Sequence, residues 1–135
     1  MRSEGFGNEV KKRLLLGNYV VQHENYAKYY QRGYQARKLM KQEFEKFFQT
    51  YHVVLTPTAP TPAGKIGEKT NDSLLMYLED LYTVPANLAG LPAISLPMGT
   101  VTEEDGELPV GIQLMGPWWK EGLLLDIAEL LDGDF

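Results

Sequence analysis

The sequence contains no cysteine. That excludes disulfides, thiolate metal sites and a cysteine nucleophile within it. Serine occurs only as Ser3, Ser73 and Ser95, and histidine only as His23 and His52. None of them sits in a Gly-x-Ser-x-Gly elbow. No Gly-x-x-x-x-Gly-Lys-Ser/Thr loop or Gly-x-Gly-x-x-Gly turn is present to cradle a phosphate, and Gly5-Phe6-Gly7 alone is too slight a signal. Long apolar runs are missing as well. Leu14-Leu15-Leu16 stops at Gly17, far short of the ~20 residues a membrane helix needs. Met1-Arg2-Ser3-Glu4-Gly5 has no apolar run behind it, so no signal peptide is expected. Basic charge is in deficit: Lys plus Arg is 13, Asp plus Glu is 18, and the net charge is −5. Such a chain is poorly suited to grip a phosphate backbone, so no direct nucleic-acid binding is expected.

What remains is ordinary globular material. Of 135 residues, 44% are hydrophobic and 23% charged, enough apolar surface to drive collapse of about one domain. Composition separates three zones: residues 1–52 read as helical, 53–73 as a short strand and a proline-rich loop, and 74–135 as helices and two strands. No internal repeat is visible.

The first helix is expected from Asn8, with Val10 and Leu14 on an apolar stripe and Gly17 as a kink or close-packing point. A second helix from about Asn25 to Tyr51 carries Tyr26, Tyr30, Met40, Phe44, Phe47 and Tyr51 at spacings of three or four, interrupted by Gly33 and Arg37. At 1.5 Å per residue it would run ~40 Å, long enough to act as a strut across a larger body. Its tyrosines suit core packing better than base stacking.

Val53-Val54-Leu55 reads as a short buried strand halted by the prolines of Thr56-Pro57-Thr58-Ala59-Pro60-Thr61-Pro62. Leu74 to Leu81 reads as a turn or two of helix. Thr83 to Gly90 reads as a helix with Thr83 as N-cap, Pro85 in the first turn and Gly90 closing it. Ala93–Pro97 and Val110–Met115 are expected to pair as a hairpin through an Asp-Gly connection. A last helix, Trp119 to Leu131, should present Leu123, Leu124, Ile127, Leu130 and Leu131 on one face.

Read for chemistry, these residues show no catalytic centre. His23 and His52 fall at helix ends and are read as surface or capping histidines. Glu103, Glu104, Asp105 and Glu107 crowd one turn, but without the spacing of a calcium loop, so no metal site is expected.

Several stretches, in order, resemble the C-terminal part of the amidase signature family. They are Arg2 through Arg13, Leu16-Gly17, Tyr26 through Tyr30, Leu55 through Ala63 and Lys65-Ile66-Gly67-Glu68. Met76-Tyr77, Asp80, Thr83 through Pro92 and Leu108 through Gly116 complete the set. Within that family they look most like the A-subunit family of glutamyl-tRNA(Gln) amidotransferases. Gln22-His23-Glu24-Asn25, Gly64, Met98 and the ending Leu131 through Phe135 depart from the familiar pattern.

The resemblance implies an α/β fold, a mixed sheet covered by helices, of which residues 1–135 form a C-terminal segment, incomplete as given. It implies amide hydrolysis by two serines and a lysine that lie upstream of every matched stretch. No catalytic residue is therefore assigned here, and the segment alone is expected to be inactive. It further implies glutamine as ammonia donor and other amidotransferase subunits as partners. One of these would use ATP and Mg, and Glu-tRNA would be reached through the complex. No cofactor is expected in this segment, the setting is cytoplasmic, and no membrane is involved.

A free amino acid presents an α-carboxylate and an α-ammonium, best held by an Arg fork and a carboxylate. The resemblance places these roles on Arg13 and Asp80. Taken alone, the two would read as a solvated helix arginine and a helix-end carboxylate. Neither Lys11 nor Lys12 can make the planar bidentate contact of an arginine. Two other readings are open: a segment of a different amidase-signature amide hydrolase, and a stand-alone non-catalytic interaction module.

Overall fold

In a computed structural model, the described residues are 5–64, 77–104 and 106–131. They fall into two units, one up to Leu39 and one from Met40.

The first unit is helical. Helix α1 spans Asn8–Val21 without a break at Gly17, and a Cβ there would meet nothing within 4 Å, so this glycine is not a close-packing point. The break comes instead at Gln22, whose extended backbone (ψ 146°) interrupts the spiral. The Tyr19 carbonyl at the helix end accepts both the Gln22 N–H at 3.4 Å and the Asn25 side-chain amide at 3.1 Å.

The expected second helix is present but not regular. It begins as a short turn, α2 (His23–Asn25), passes through a π-helical segment at Tyr26–Tyr30, and continues as α3 (Gln31–Phe47). The Gln31 N–H donates to the Tyr26 carbonyl, the i→i+5 bond that inserts one extra residue. Tyr26 and Tyr30 stack across this widened turn with ring centres 4.9 Å apart. The helical stretch was expected, but the core packing expected of its tyrosines is not seen, since Tyr26, Tyr29, Tyr30 and Tyr34 are all exposed, and the extra residue was not legible. Apolar spacing of three or four does not distinguish a spiral that widens for one turn.

The second unit is built on a three-stranded antiparallel sheet in the order β1-β3-β2, with β1 Val54–Pro57, β2 Ala93–Glu103 and β3 Gly106–Met115. β1 ends on Pro57, close to where its prolines were expected to stop it, but it is only half-buried, with Leu55 exposed, while β2 continues beyond the Pro97 at which it was expected to end. Pro57 pairs with Ile112 on the edge strand, where a missing N–H leaves no ladder bond unmade. In β2 the register shifts between Pro97 and Thr100, and Gly99 takes φ 103°. This bulge lets the strand resume after Pro97 and reach Glu103, opposite Gly106. The hairpin was expected from the sequence. Asp105, in its connection, lies outside the described residues, as do Leu74 through Met76.

β3 is the buried centre. Ile112, Gln113, Leu114 and Met115 are all buried, as befits a strand flanked on both edges and covered on both faces. Helix α4 (Val84–Ala89) puts Ala86 and Ala89 with Leu91 and Met115, and Phe44, Phe48, Val54 and Trp118 pack around them. Gly90 ends α4 in the left-handed region (φ 73°), as read from the sequence. Helix α5 (Glu121–Leu131) begins two residues later than expected. Its expected face is largely kept: Leu124 is buried and Leu123, Ile127 and Leu131 are half-buried, with Ala128 buried beside them and Leu130 alone of the expected set exposed. A Cβ on Gly116 would stand 3.1 Å from Leu124, so a glycine follows β3 where α5 presses close.

Candidate functional site

Asp80 belongs to a turn that leads into α4. Its carbonyl accepts three bonds, from the Thr83 N–H at 3.2 Å, the Val84 N–H at 2.9 Å and the Thr83 hydroxyl at 3.3 Å. Thr83 stands at the N-cap position as expected, but its hydroxyl makes no cap bond to the helix. It reaches back to Asp80 instead, the local side-chain-to-backbone bonding at which threonine excels. The next carbonyls are also engaged. Asn87 donates through its side-chain amide to the Thr83 carbonyl at 3.2 Å. Buried Gln113 of β3 donates to the Tyr82 carbonyl at 2.9 Å and to Thr56 Oγ1 at 3.2 Å. The turn is thus a fixed structure, and the Asp80 residue it carries is exposed.

Arg13 lies in the middle of α1, exposed, with its Nε donating to Glu9 Oε1 at 3.1 Å. Lys12 Nζ stands 3.8 Å from the other Glu9 oxygen. Exposed pairs at this spacing contribute only about 0.3–0.5 kcal/mol, so Glu9 orients the guanidinium weakly. An arginine carries five N–H donors, and holding Glu9 through Nε is compatible with holding a second carboxylate. Arg13 belongs to the first unit and Asp80 to the second.

Sequence reasoning did not single out Gln113. The signal was available: an amide in the middle of Val110-Gly111-Ile112-Gln113-Leu114-Met115, where the alternation gives no polar face to receive it.

The second unit also holds an open hollow of about 890 Å³, walled by Pro57 to Ala63, Leu96, Met98 and Val110. Ser95 lines it, and its hydroxyl pairs with the Thr58 hydroxyl at 2.7 Å. A neighbouring hydroxyl is no general base, so this pair does not make Ser95 a nucleophile. Ser3 and Ser73 lie outside the described residues. His23 opens α2, and His52 is exposed in a bend before β1. Among the described residues no three His, Asp or Glu side chains gather as a metal site. No helix there is long and apolar enough to cross a membrane.

Comparison with known proteins adds the chemistry that the geometry lacks. The chain is 54% identical over 127 residues to the A subunit of the glutamyl-tRNA(Gln) amidotransferase of Clostridium botulinum, covering 94% of this chain and 25% of that protein. It is 51% identical over 124 residues to the protein of the same name from Akkermansia muciniphila, covering 92% and 26%. The chain therefore spans about a quarter of the length of these relatives. Among solved structures it is similar to 6-aminohexanoate cyclic dimer hydrolase, with TM-score 0.58 and 29% identity over 73% of this chain and 22% of that one. A family model described as Amidase matches residues 1–125, so this chain belongs to the amidase family.

Proposed function

We propose that the chain is the C-terminal part of the glutamine-hydrolysing, ammonia-releasing subunit of a Glu-tRNA(Gln) amidotransferase. The observation that carries this reading is the 54% identity, across nearly the whole chain, to a protein of that name. The segment contributes glutamine recognition, not the nucleophile. Arg13 takes the α-carboxylate of glutamine through a planar fork, and Asp80 takes the α-ammonium. The hydrolytic serines and lysine belong to the rest of the enzyme. Released ammonia passes to partner subunits, which use ATP and Mg to amidate Glu-tRNA, in the cytoplasm.

Two features support this division of labour. Arg13 stands on a helix face with its guanidinium oriented by Glu9, and Asp80 stands on a turn whose carbonyls are tied to the sheet and to α4. Both side chains are exposed and carry the two charges that complement a free amino acid.

Isothermal titration of glutamine against the full-length protein containing this chain tests the clamp. Arg13→Ala is expected to weaken binding about 10- to 100-fold, the worth of a charge-assisted hydrogen bond pair. Unchanged affinity removes Arg13 from the site.

The likeness to 6-aminohexanoate cyclic dimer hydrolase supports a second reading, in which the parent hydrolyses an amide without a free amino-acid head. An ammonia-release assay on the full-length parent separates the two. Glutamine turnover supports the first reading, and turnover confined to amides lacking that head supports the second.

A further inference from the structure

We infer that Gln113 is a positioning residue for Asp80, setting how well the protein discriminates amino acids from simple amides. This deepens the reading above, because it rests on Asp80 holding the α-ammonium. Gln113 is 5% exposed in the middle of the central strand. A buried amide is costly unless its bonds are made, and an apolar side chain of similar size would fill the space without that demand. Here the demand is met in a directed way. The amide nitrogen carries two protons, and they go to two acceptors: Thr56 Oγ1 on β1 at 3.2 Å and the Tyr82 carbonyl at 2.9 Å. Because a carbonyl can only accept, the Tyr82 bond also fixes which end of the amide faces the turn.

Tyr82 is two residues after Asp80, inside the turn whose Asp80 carbonyl is held by Thr83 and Val84. Those bonds are local and would survive a rigid shift of the whole turn. The bond from Gln113 comes from the sheet, and it places the turn relative to β1 and β3. Thr56 is the residue paired with Gln113 across the ladder, so the amide spans a fixed frame. Loss of the bond leaves the Tyr82 carbonyl without its sheet-borne donor and loosens the register of Asp80.

The test is made on the full-length protein in its complex. Turnover of glutamine is compared with that of 4-carbamoylbutanoate, which is glutamine without its α-amino group, and the ratio of kcat/KM values is read. Wild type is expected to favour glutamine strongly, and Asp80→Asn to reduce the preference about 10-fold or more. Gln113→Met is expected to lower the same ratio about five-fold, through the glutamine value, with the amino-free amide changed less than about two-fold. A general loss of folded protein lowers both substrates together and does not move the ratio. An unchanged ratio in Gln113→Met, with the preference lost in Asp80→Asn, overturns the role of Gln113 alone. Absence of any preference in wild type, or its survival in Asp80→Asn, overturns the clamp itself and this inference with it. If Gln113→Met does not accumulate, Gln113→Asn, which keeps the amide but shortens its reach, is read by the same ratio. A fall supports the role and an unchanged ratio overturns it.

Discussion

Gly111 shows how closely one residue is specified. A Cβ there would stand 2.9 Å from Thr58 Oγ1, 3.2 Å from Ser95 Oγ and 3.3 Å from the Leu96 carbonyl. Two of these neighbours are the hydroxyls of the 2.7 Å pair, so neither yields without breaking that bond. Gly111→Ala is expected to destabilise the full-length protein by about 1–3 kcal/mol, read as a fall in the denaturant midpoint. Trp119 is the opposite case. It holds φ 64°, a left-handed backbone that a bulky side chain adopts at a cost, and it is 88% exposed. Trp119→Gly relieves that strain and gives up little packing. It is expected to stabilise by about 0.5–1 kcal/mol in the same measurement.

Among the elements, α4 was the most fully legible, and its reading separates position from partner. Pro85 in the first turn and Gly90 at the end are backbone requirements, and backbone requirements are written locally. Gly90 has φ 73°, and a Cβ there would meet Trp118 Nε1 only at 3.9 Å, an ordinary contact. Gly90→Ala is therefore expected to cost about 1 kcal/mol through backbone strain, with no steric share, seen as a lowered Tm. Thr83 was legible as a position but not as a bond. Its hydroxyl chooses the Asp80 carbonyl because the preceding turn brings that acceptor within 3.3 Å. In α5 the expected face holds at Leu123, Leu124, Ile127 and Leu131, with Leu124 buried close to Gly116, while Ala128 joins it and Leu130 stays exposed.

At the scale of the molecule, the distribution of apolar surface is the main fact. No residue of α1 or α3 is buried, and Leu14, Leu15, Leu16, Tyr34 and Leu39 are all exposed. In the second unit, Met40, Phe44, Phe47, Tyr51 and Val54 line a further hollow of about 540 Å³. Apolar patches of this extent favour association in water. The 135-residue chain on its own is expected to self-associate with concentration in sedimentation velocity, and to release no ammonia from glutamine. A monodisperse monomer would contradict the first expectation, and turnover by the isolated chain the second.

The sequence by itself determined the family, the order of helices and strands, the helix closure at Gly90 and the hairpin. These follow from local backbone preference, period and runs of identity, all of which are properties of neighbours along the chain. It also offered Arg13 and Asp80 as the residues proposed to hold glutamine, through resemblance and not through spacing. Only the tertiary structure decided that Gln113 reaches the Tyr82 carbonyl, that β2 passes Pro97 on a bulge, and that Gly111 stands against two hydroxyls. Each depends on how separate stretches of chain meet at a definite register. Register is set by the packed sheet as a whole, and no single stretch of sequence carries it.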